Sequence, residues 1–238
     1  MISILIIFVA ILVVAGLAYL IVNKLPRKLK PVLSIVLWVF IVFLGYQIYQ
    51  SIMKPIDFNN KKKARYTKVI ENLKIIRDAE IAYAEVNRRF TANPNELISF
   101  IDTANFAITE IKNIVVTEQR GRITIDVEKR VVDTVGFKPV AESFEGRDYK
   151  NMMSVPGTDA KFELKIGRIE KVQGVQTWVF EVKVDKAIVL EGMDKDLINQ
   201  EKEALGGVNV PGEYISVGSL EDVNSNGNWP PFYDGRKE

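Results

Sequence analysis

The sequence predicts an α+β protein: two N-terminal transmembrane helices, then a soluble domain in which a long amphipathic helix packs on an antiparallel sheet. Two apolar runs without a formal charge open the 238-residue chain. A helical apolar period of three to four residues follows from about residue 60, and it gives way to a strand period of two beyond about residue 103. Helices followed by a run of strands are typical of the α+β class.

The two apolar runs cover residues 2–23 and 31–53, and a short basic stretch separates them. At about 1.5 Å per residue, each run can cross a hydrocarbon layer of roughly 30 Å as a helix. Pro55 is expected to end the second helix. We therefore divide the chain into a transmembrane helical hairpin, residues 1–55, and a soluble α+β domain, residues 56–238.

Charge distribution sets the expected topology. No Lys or Arg precedes the first run, and the run is longer than a signal-peptide core, so a retained span is favoured over cleavage near residues 13–18. Four cations lie in residues 24–30, whereas six lie between Lys54 and Lys68. Because short loops weigh most, we place residues 24–30 in the cytoplasm and the C-terminal domain in the periplasm, anchored to the inner (cytoplasmic) membrane. The charge-free spans favour passive anchoring over a role in an ion-driven complex.

Composition restricts the function. The chain has no Cys and no His, which excludes thiolate nucleophiles, imidazole bases and the usual zinc sites. Five of 32 basic and one of 30 acidic residues precede Phe58, which leaves the soluble part with 27 basic and 29 acidic residues. No nucleic-acid partner is expected of such a domain. A non-enzymatic protein is favoured; the alternative is a membrane-anchored hydrolase or transferase using Asp/Glu or Ser/Lys, with Glu163, Glu181 and Asp185 as candidate carboxylates.

A long helix is predicted over residues 60–88 by one apolar stripe, formed by Tyr66, Val69, Ile70, Leu73, Ile76, Ala79, Tyr83, Val86 and Phe90. The cations in its first turns either bind anionic headgroups or simply face solvent. A second helix is predicted to begin with Asn93 as its cap, Pro94 at its first position and Glu96 at its third, and to end near Thr103.

Alternating apolar residues predict the strands. Residues 114–117 and 123–128 indicate a hairpin joined across 119–122, and the Gly- and Pro-containing stretch 131–160 is expected to be irregular. Further strands are predicted at 161–170, 175–184 and 214–217, with a polar helix from Asp194 to Leu205 ended by two glycines.

The stretch Leu73 to Thr91, followed by Asn95-Glu-Leu, resembles the long-helix module of type IV pilins and pseudopilins over about residues 66–101. The resemblance implies a helix packed on an antiparallel sheet and a cell-envelope location. The chain is also similar to an uncharacterised group of membrane-anchored envelope proteins of Bacteroidota, which implies no activity; it shares their Lys-x-Ile-Arg-x-Ala pattern and the Gly227-Asn-Trp-Pro230 run. Neither span has the peptidase site or the early Glu of pilins, so pilin-type processing and fibre formation are not expected.

A calcium site is a candidate in the C-terminal loop. Asp222, Asn224 and Asn226 supply alternating oxygens before Gly227, as in the first half of an EF-hand loop. Tyr233 stands where that loop needs its bidentate acid. Some pseudopilins hold calcium in a C-terminal loop, so the resemblance supports the site, whereas a tight turn at Asn226-Gly227 is the alternative.

These observations together predict a pilin-like envelope scaffold or assembly subunit. Its expected partners are the membrane, other envelope proteins and other copies of itself, and no cofactor other than calcium is expected.

Overall fold

A computed structural model describes residues 16, 18–19, 26, 30–120, 123–172 and 174–234. The chain forms two compact units, Met1–Asp57 and Phe58–Glu238. The predicted first span lies outside the described residues, apart from residues 16, 18 and 19, which are helical. The predicted α+β class is confirmed, since one long helix with an apolar N-terminal part is combined with two small antiparallel sheets.

Helix α1 spans Lys30–Asn87, 58 residues, and contains Pro55. The expectation that Pro55 ends the helix was wrong. An interior proline costs about 3 kcal/mol and one hydrogen bond. That cost is outweighed here, because good helix formers such as Lys61, Lys62 and Ala64 follow, and the helix packs on a core from Phe58 onward.

The apolar part of α1 is the one segment of the described residues that is long and apolar enough to cross a membrane, with a mean hydropathy of 2.2 and no burial. The structure therefore shows one candidate span and not the predicted pair. A membrane anchor and a signal sequence share this character.

The predicted apolar stripe is buried from Tyr66 to Tyr83. It ends sooner than predicted, because Val86 is 44% exposed and Phe90 lies beyond the helix. Helix α2, Pro94–Thr103, follows as predicted: Asn93 caps it by accepting a 3.1 Å hydrogen bond from the Asn95 amide.

Strands β1 (Asn105–Arg120) and β2 (Ile123–Pro139) form an antiparallel two-stranded sheet, here called the arm. It is much longer than predicted, and residues 131–139, expected to be irregular, are strand. Register shifts once: Ile108 faces Gly136 and Thr109 faces Thr134, which leaves Val135 as an extra residue in β2. Of the residues that suggested a loop, Gly136 directly follows this bulge and Pro139 is the last residue of β2, and a strand tolerates glycine and proline at such positions.

The second sheet has the order β3-β4-β5 and is antiparallel throughout. Its strands are β3 (Glu163–Val172), β4 (Val175–Asp185) and β5 (Tyr214–Gly218). The expected single sheet is therefore two separate sheets. The short helices are α3 (Lys186–Val189) and α4 (Lys195–Lys202), with 3₁₀ turns at Val140–Phe144 and Pro231–Asp234. Helix α4 begins after Asp194 as predicted but ends before the predicted Leu205.

One apolar core joins α1 from Phe58 onward, α2 and the three-stranded sheet. Leu73 and Ile76 of α1 share this core with Val182 and Ile215 of the sheet, all fully buried. Of the arm residues that the structure describes, only the partly buried Phe106, near the start of β1, packs against this core. The arm is thus a separate layer with little core of its own.

Candidate interaction surface

Apolar side chains lie exposed along the arm. Phe137 is 72% exposed and Val115 is 63% exposed. Among the arm residues that the structure describes, the exposed large apolar side chains are Ile108, Ile111, Ile114, Val115, Val132, Val135 and Phe137. Single exposed apolar residues are ordinary, but a concentration on one element marks an interaction surface.

The arm has long strands but only two of them. Strands of 16 and 17 residues extend about 50 Å, and a two-stranded hairpin is only marginally stable in water. Glu110 lies opposite Asp133, a like-charge pair, and Lys112, 3.0 Å from Glu110, partly offsets the repulsion. A partner that covers these strands would supply the missing burial.

The two edges of the arm differ. Within the described residues, β1 and β2 pair only with each other, so each has an open edge. The edge of β2 is interrupted by the bulge at Val135, a feature that discourages further pairing, whereas β1 has no extra residue. The regular edge of β1 is therefore the better docking edge.

Three buried charged side chains join α1 to the C-terminal helices. Lys186 is fully buried, and its Nζ donates hydrogen bonds to the carbonyl oxygens of Glu201 and Val210, both at 2.6 Å. Lys62 Nζ lies 2.8 Å from Glu201 Oε2 and 3.1 Å from Asn209 Oδ1. Desolvation lowers the pKa of Lys186, and the Glu201 carboxylate partly opposes this shift. Every ammonium in the cluster has acceptors, which is typical of a structural crosslink.

A second buried carboxylate connects α1 to the turn before α2. Glu80 is fully buried, and its Oε2 accepts a 3.2 Å hydrogen bond from the Thr91 amide. Its other oxygen has no partner in the part of the chain that the structure describes. Burial raises the pKa of Glu80 to about 8. Glu96 closes the same network by accepting hydrogen bonds from Thr91 Oγ1, at 2.7 Å, and from the Tyr83 hydroxyl.

The candidate catalytic carboxylates lie in ion pairs on the β3–β4 sheet. Register sets Glu163 opposite Lys183 and Lys165 opposite Glu181, so these four alternate in charge on one face. Each glutamate contacts a lysine on its own strand, and the hydrogen bond from Lys165 lowers the pKa of Glu163. Asp185 instead caps α3 and contacts Lys202 at 3.2 Å. This arrangement is typical of a solvated sheet face.

Three cavities of about 270, 300 and 350 Å³ lie beside α1. Asp78 and Arg147, joined at 2.8 Å, line one of them, and Arg65 and Lys68 line another. None of the candidate carboxylates lines these three cavities. The cavities therefore add nothing to the enzymatic alternative.

The calcium candidates lie together in an exposed loop. Asn224 Oδ1 accepts a 2.8 Å hydrogen bond from the Asn226 amide, and the Asn224 amide donates to the Asp222 carbonyl at 2.9 Å. Asp222 and Asn226 are exposed, and Gly227 packs against the indole of Trp229. Within the described residues there is no group of three acidic side chains that could hold a metal. Calcium binding stays a prediction from the sequence pattern.

Comparison with protein-family models, with curated proteins and with solved structures finds no match to this chain. The pilin-like module consequently stays a prediction from the residues alone. Sequence reasoning missed the arm as a surface, although β-branched residues, which favour strands, continue before Ile114 at Ile108 and Ile111 and lie beyond the predicted second strand at Val132.

Proposed function

We propose that this protein is a membrane-anchored envelope scaffold or assembly subunit whose contact element is the arm. The observation that carries the proposal is the concentration of exposed apolar residues on a long two-stranded sheet outside the core. Covering such a surface with another protein is favourable, because it removes apolar area from water.

Two further features support the proposal. The apolar start of α1 suits a membrane anchor, and we place the soluble unit in the periplasm from the charge of residues 24–30. The pilin-like resemblance adds an envelope setting. A non-enzymatic role accords with the ion-paired Glu163, Glu181 and Asp185, the residues on which the hydrolase or transferase alternative depends.

Site-specific photocrosslinking in native membranes tests the proposal. A photoreactive residue at Val115 of the arm should capture neighbouring envelope proteins, whereas the same residue at Val223, exposed in the C-terminal loop, should capture few. Equal capture from both positions, or none from Val115, would contradict the proposal.

The anchor and topology are tested separately. The full chain should stay in the membrane fraction after carbonate extraction, and alkaline phosphatase fused at its C-terminus should be active. A C-terminal fluorescent protein that folds in the cytoplasm would overturn the periplasmic placement.

A further inference from the structure

We propose that two copies of this chain pair through the open edges of β1, antiparallel to each other, with Ile111 of both copies on the two-fold axis. This inference rests on the proposed function and names one partner of the arm, a second copy. The product is a four-stranded sheet with the order β2-β1-β1-β2.

The sequence of β1 is complementary to itself about Ile111. In an antiparallel pair centred on that residue, Glu110 lies opposite Lys112 of the second copy, and the same pair recurs across the axis. Thr109 meets Asn113, so polar faces polar.

Apolar residues match in the same register. Ile108 lies opposite Ile114, and Ala107 lies opposite Val115. Shifting the centre to Lys112 would instead set Glu110 against Ile114 and Ile111 against Asn113. In the register centred on Ile111, acidic residues therefore lie opposite basic ones, polar residues opposite polar ones and apolar residues opposite apolar ones.

The residues that lie side by side across the centre of the four-stranded sheet give the pairing its apolar burial. Ile111 faces Val132 within one copy, and these side chains are 51% and 60% exposed. Directly opposite residues share a face. Pairing about Ile111 would place four exposed apolar side chains, Val132 and Ile111 of each copy, side by side across the new sheet.

Pairing also relieves the like charges of the arm. Glu110 has Asp133 as its cross-strand neighbour, and the new sheet would bring a second lysine, Lys112 of the other copy, beside Glu110. Because the interface is two-fold symmetric, the contact of Glu110 with Lys112 of the other copy occurs twice in the dimer.

A cysteine scan of the full chain in native membranes tests the register, and the cysteine-free sequence makes each engineered thiol unique. In Ile111→Cys the two thiols meet on the axis, so copper-phenanthroline or a short bismaleimide should give a crosslinked dimer. Val115→Cys is the matched control on the same face, because in this register its two thiols lie about 27 Å apart. A mixture of Ala107→Cys and Val115→Cys copies should crosslink again.

Val115→Cys has a second purpose. A register centred on Val115 would place Lys112 opposite Glu118 and would crosslink the Val115→Cys copies to each other. Crosslinking of Val115→Cys as strong as that of Ile111→Cys would overturn the proposal, and so would the absence of dimer from all these variants.

Charge reversal separates contacts between copies from contacts within one copy. In the Ile111→Cys background, Glu110→Lys alone or Lys112→Glu alone creates two like-charge pairs per dimer and should lower the crosslinked fraction about fivefold. Both variants also break the ion pair within the strand. Co-expression of the two, differently tagged, restores opposite charges only between copies, so a mixed dimer should recover the original yield.

No recovery in the mixed dimer would overturn pairing about Ile111. The outcome also distinguishes this inference from the proposed function: photocrosslinks from the arm to other envelope proteins without self-crosslinking would refute the dimer and leave the scaffold role intact. Self-crosslinking in the stated register supports both.

Discussion

The two parts of the unit Phe58–Glu238 differ in which residues they bury and which they expose. The helix-and-sheet core buries Lys62, Lys186 and Glu201, and both lysine ammonium groups have hydrogen-bond acceptors there. The arm instead exposes isoleucines and valines to water. Buried charges with partners are typical of a structure that is complete by itself. Exposed apolar residues on an under-stabilised sheet are typical of a structure that is completed by another molecule.

The largest effect is expected for Lys186→Met. The substitution leaves the carbonyls of Glu201 and Val210 without their buried donor, and we expect the free energy of unfolding to fall by about 3 kcal/mol. Lys183→Met is the matched control, because Lys183 pairs with Glu181 at a partly exposed site, and it should cost under about 1 kcal/mol. Urea unfolding of the detergent-solubilised full chain measures both, and equal losses would contradict the assignment of Lys186 to a self-sufficient core.

Glu80 should make the core less stable as the pH rises. Folding raises its pKa from 4.5 to about 8, so between these values the folded state retains a proton that the unfolded state has released. Stability therefore falls through this window, by roughly 3 kcal/mol between pH 5 and pH 8. Unfolding of wild type and Glu80→Gln across that range checks the sign: Glu80→Gln should flatten the profile and be the more stable at pH 8. An unchanged pH slope in Glu80→Gln would contradict the assignment.

Removing the arm should hardly affect the core. Joining Ile108 to Gly136 through Asn-Gly keeps their observed pairing and deletes the longer part of both strands. Among the described arm residues, Phe106 is the one that packs against the core cluster, and the deletion retains it, so we expect the free energy of unfolding to change by less than about 1 kcal/mol. Loss of cooperative unfolding would show that the arm belongs to the core.

Calcium is expected to have the smallest effect. If Asp222, Asn224 and Asn226 bind the ion, millimolar calcium should raise the thermal midpoint by about 2 °C. Asp222→Ala should abolish the gain, while Glu221→Ala, an exposed acid in the same loop, should retain it. Differential scanning fluorimetry without any calcium-dependent gain would refute the site.

Elements with strong local signals could be predicted from the sequence. Asn93 followed by Pro94 determines where α2 begins, and the stripe from Tyr66 to Tyr83 identifies the buried side of α1. Local signals could not reveal that α1 continues through Pro55, because that outcome depends on packing after Phe58. Nor could they separate one sheet from two, since strand pairing is a non-local property.

The buried positions of Lys186 and Glu80 could have been predicted from the hydrophobic pattern of the sequence. Lys186 continues the inward alternation of Phe180, Val182 and Val184 beyond the end of β4, and Glu80 lies on the buried side of α1 between Ile76 and Tyr83. Charged residues at apolar positions of a pattern are worth identifying as candidates for buried ion pairs. The partners of these two residues could not be predicted from the sequence. Glu201 lies 15 residues after Lys186 on another helix, and the Thr91 amide that donates to Glu80 lies in the turn before α2.

The extra residue at Val135 limits how far the arm can grow. A ribbon with two smooth borders could add strands without end and produce fibres, as β-rich aggregates do. Here the edge of β1 is regular and the edge of β2 carries a bulge, so two copies that pair through β1 leave only the bulged β2 edges exposed. One extra valine would thus stop self-association of the arm at two copies and prevent it from forming a fibre.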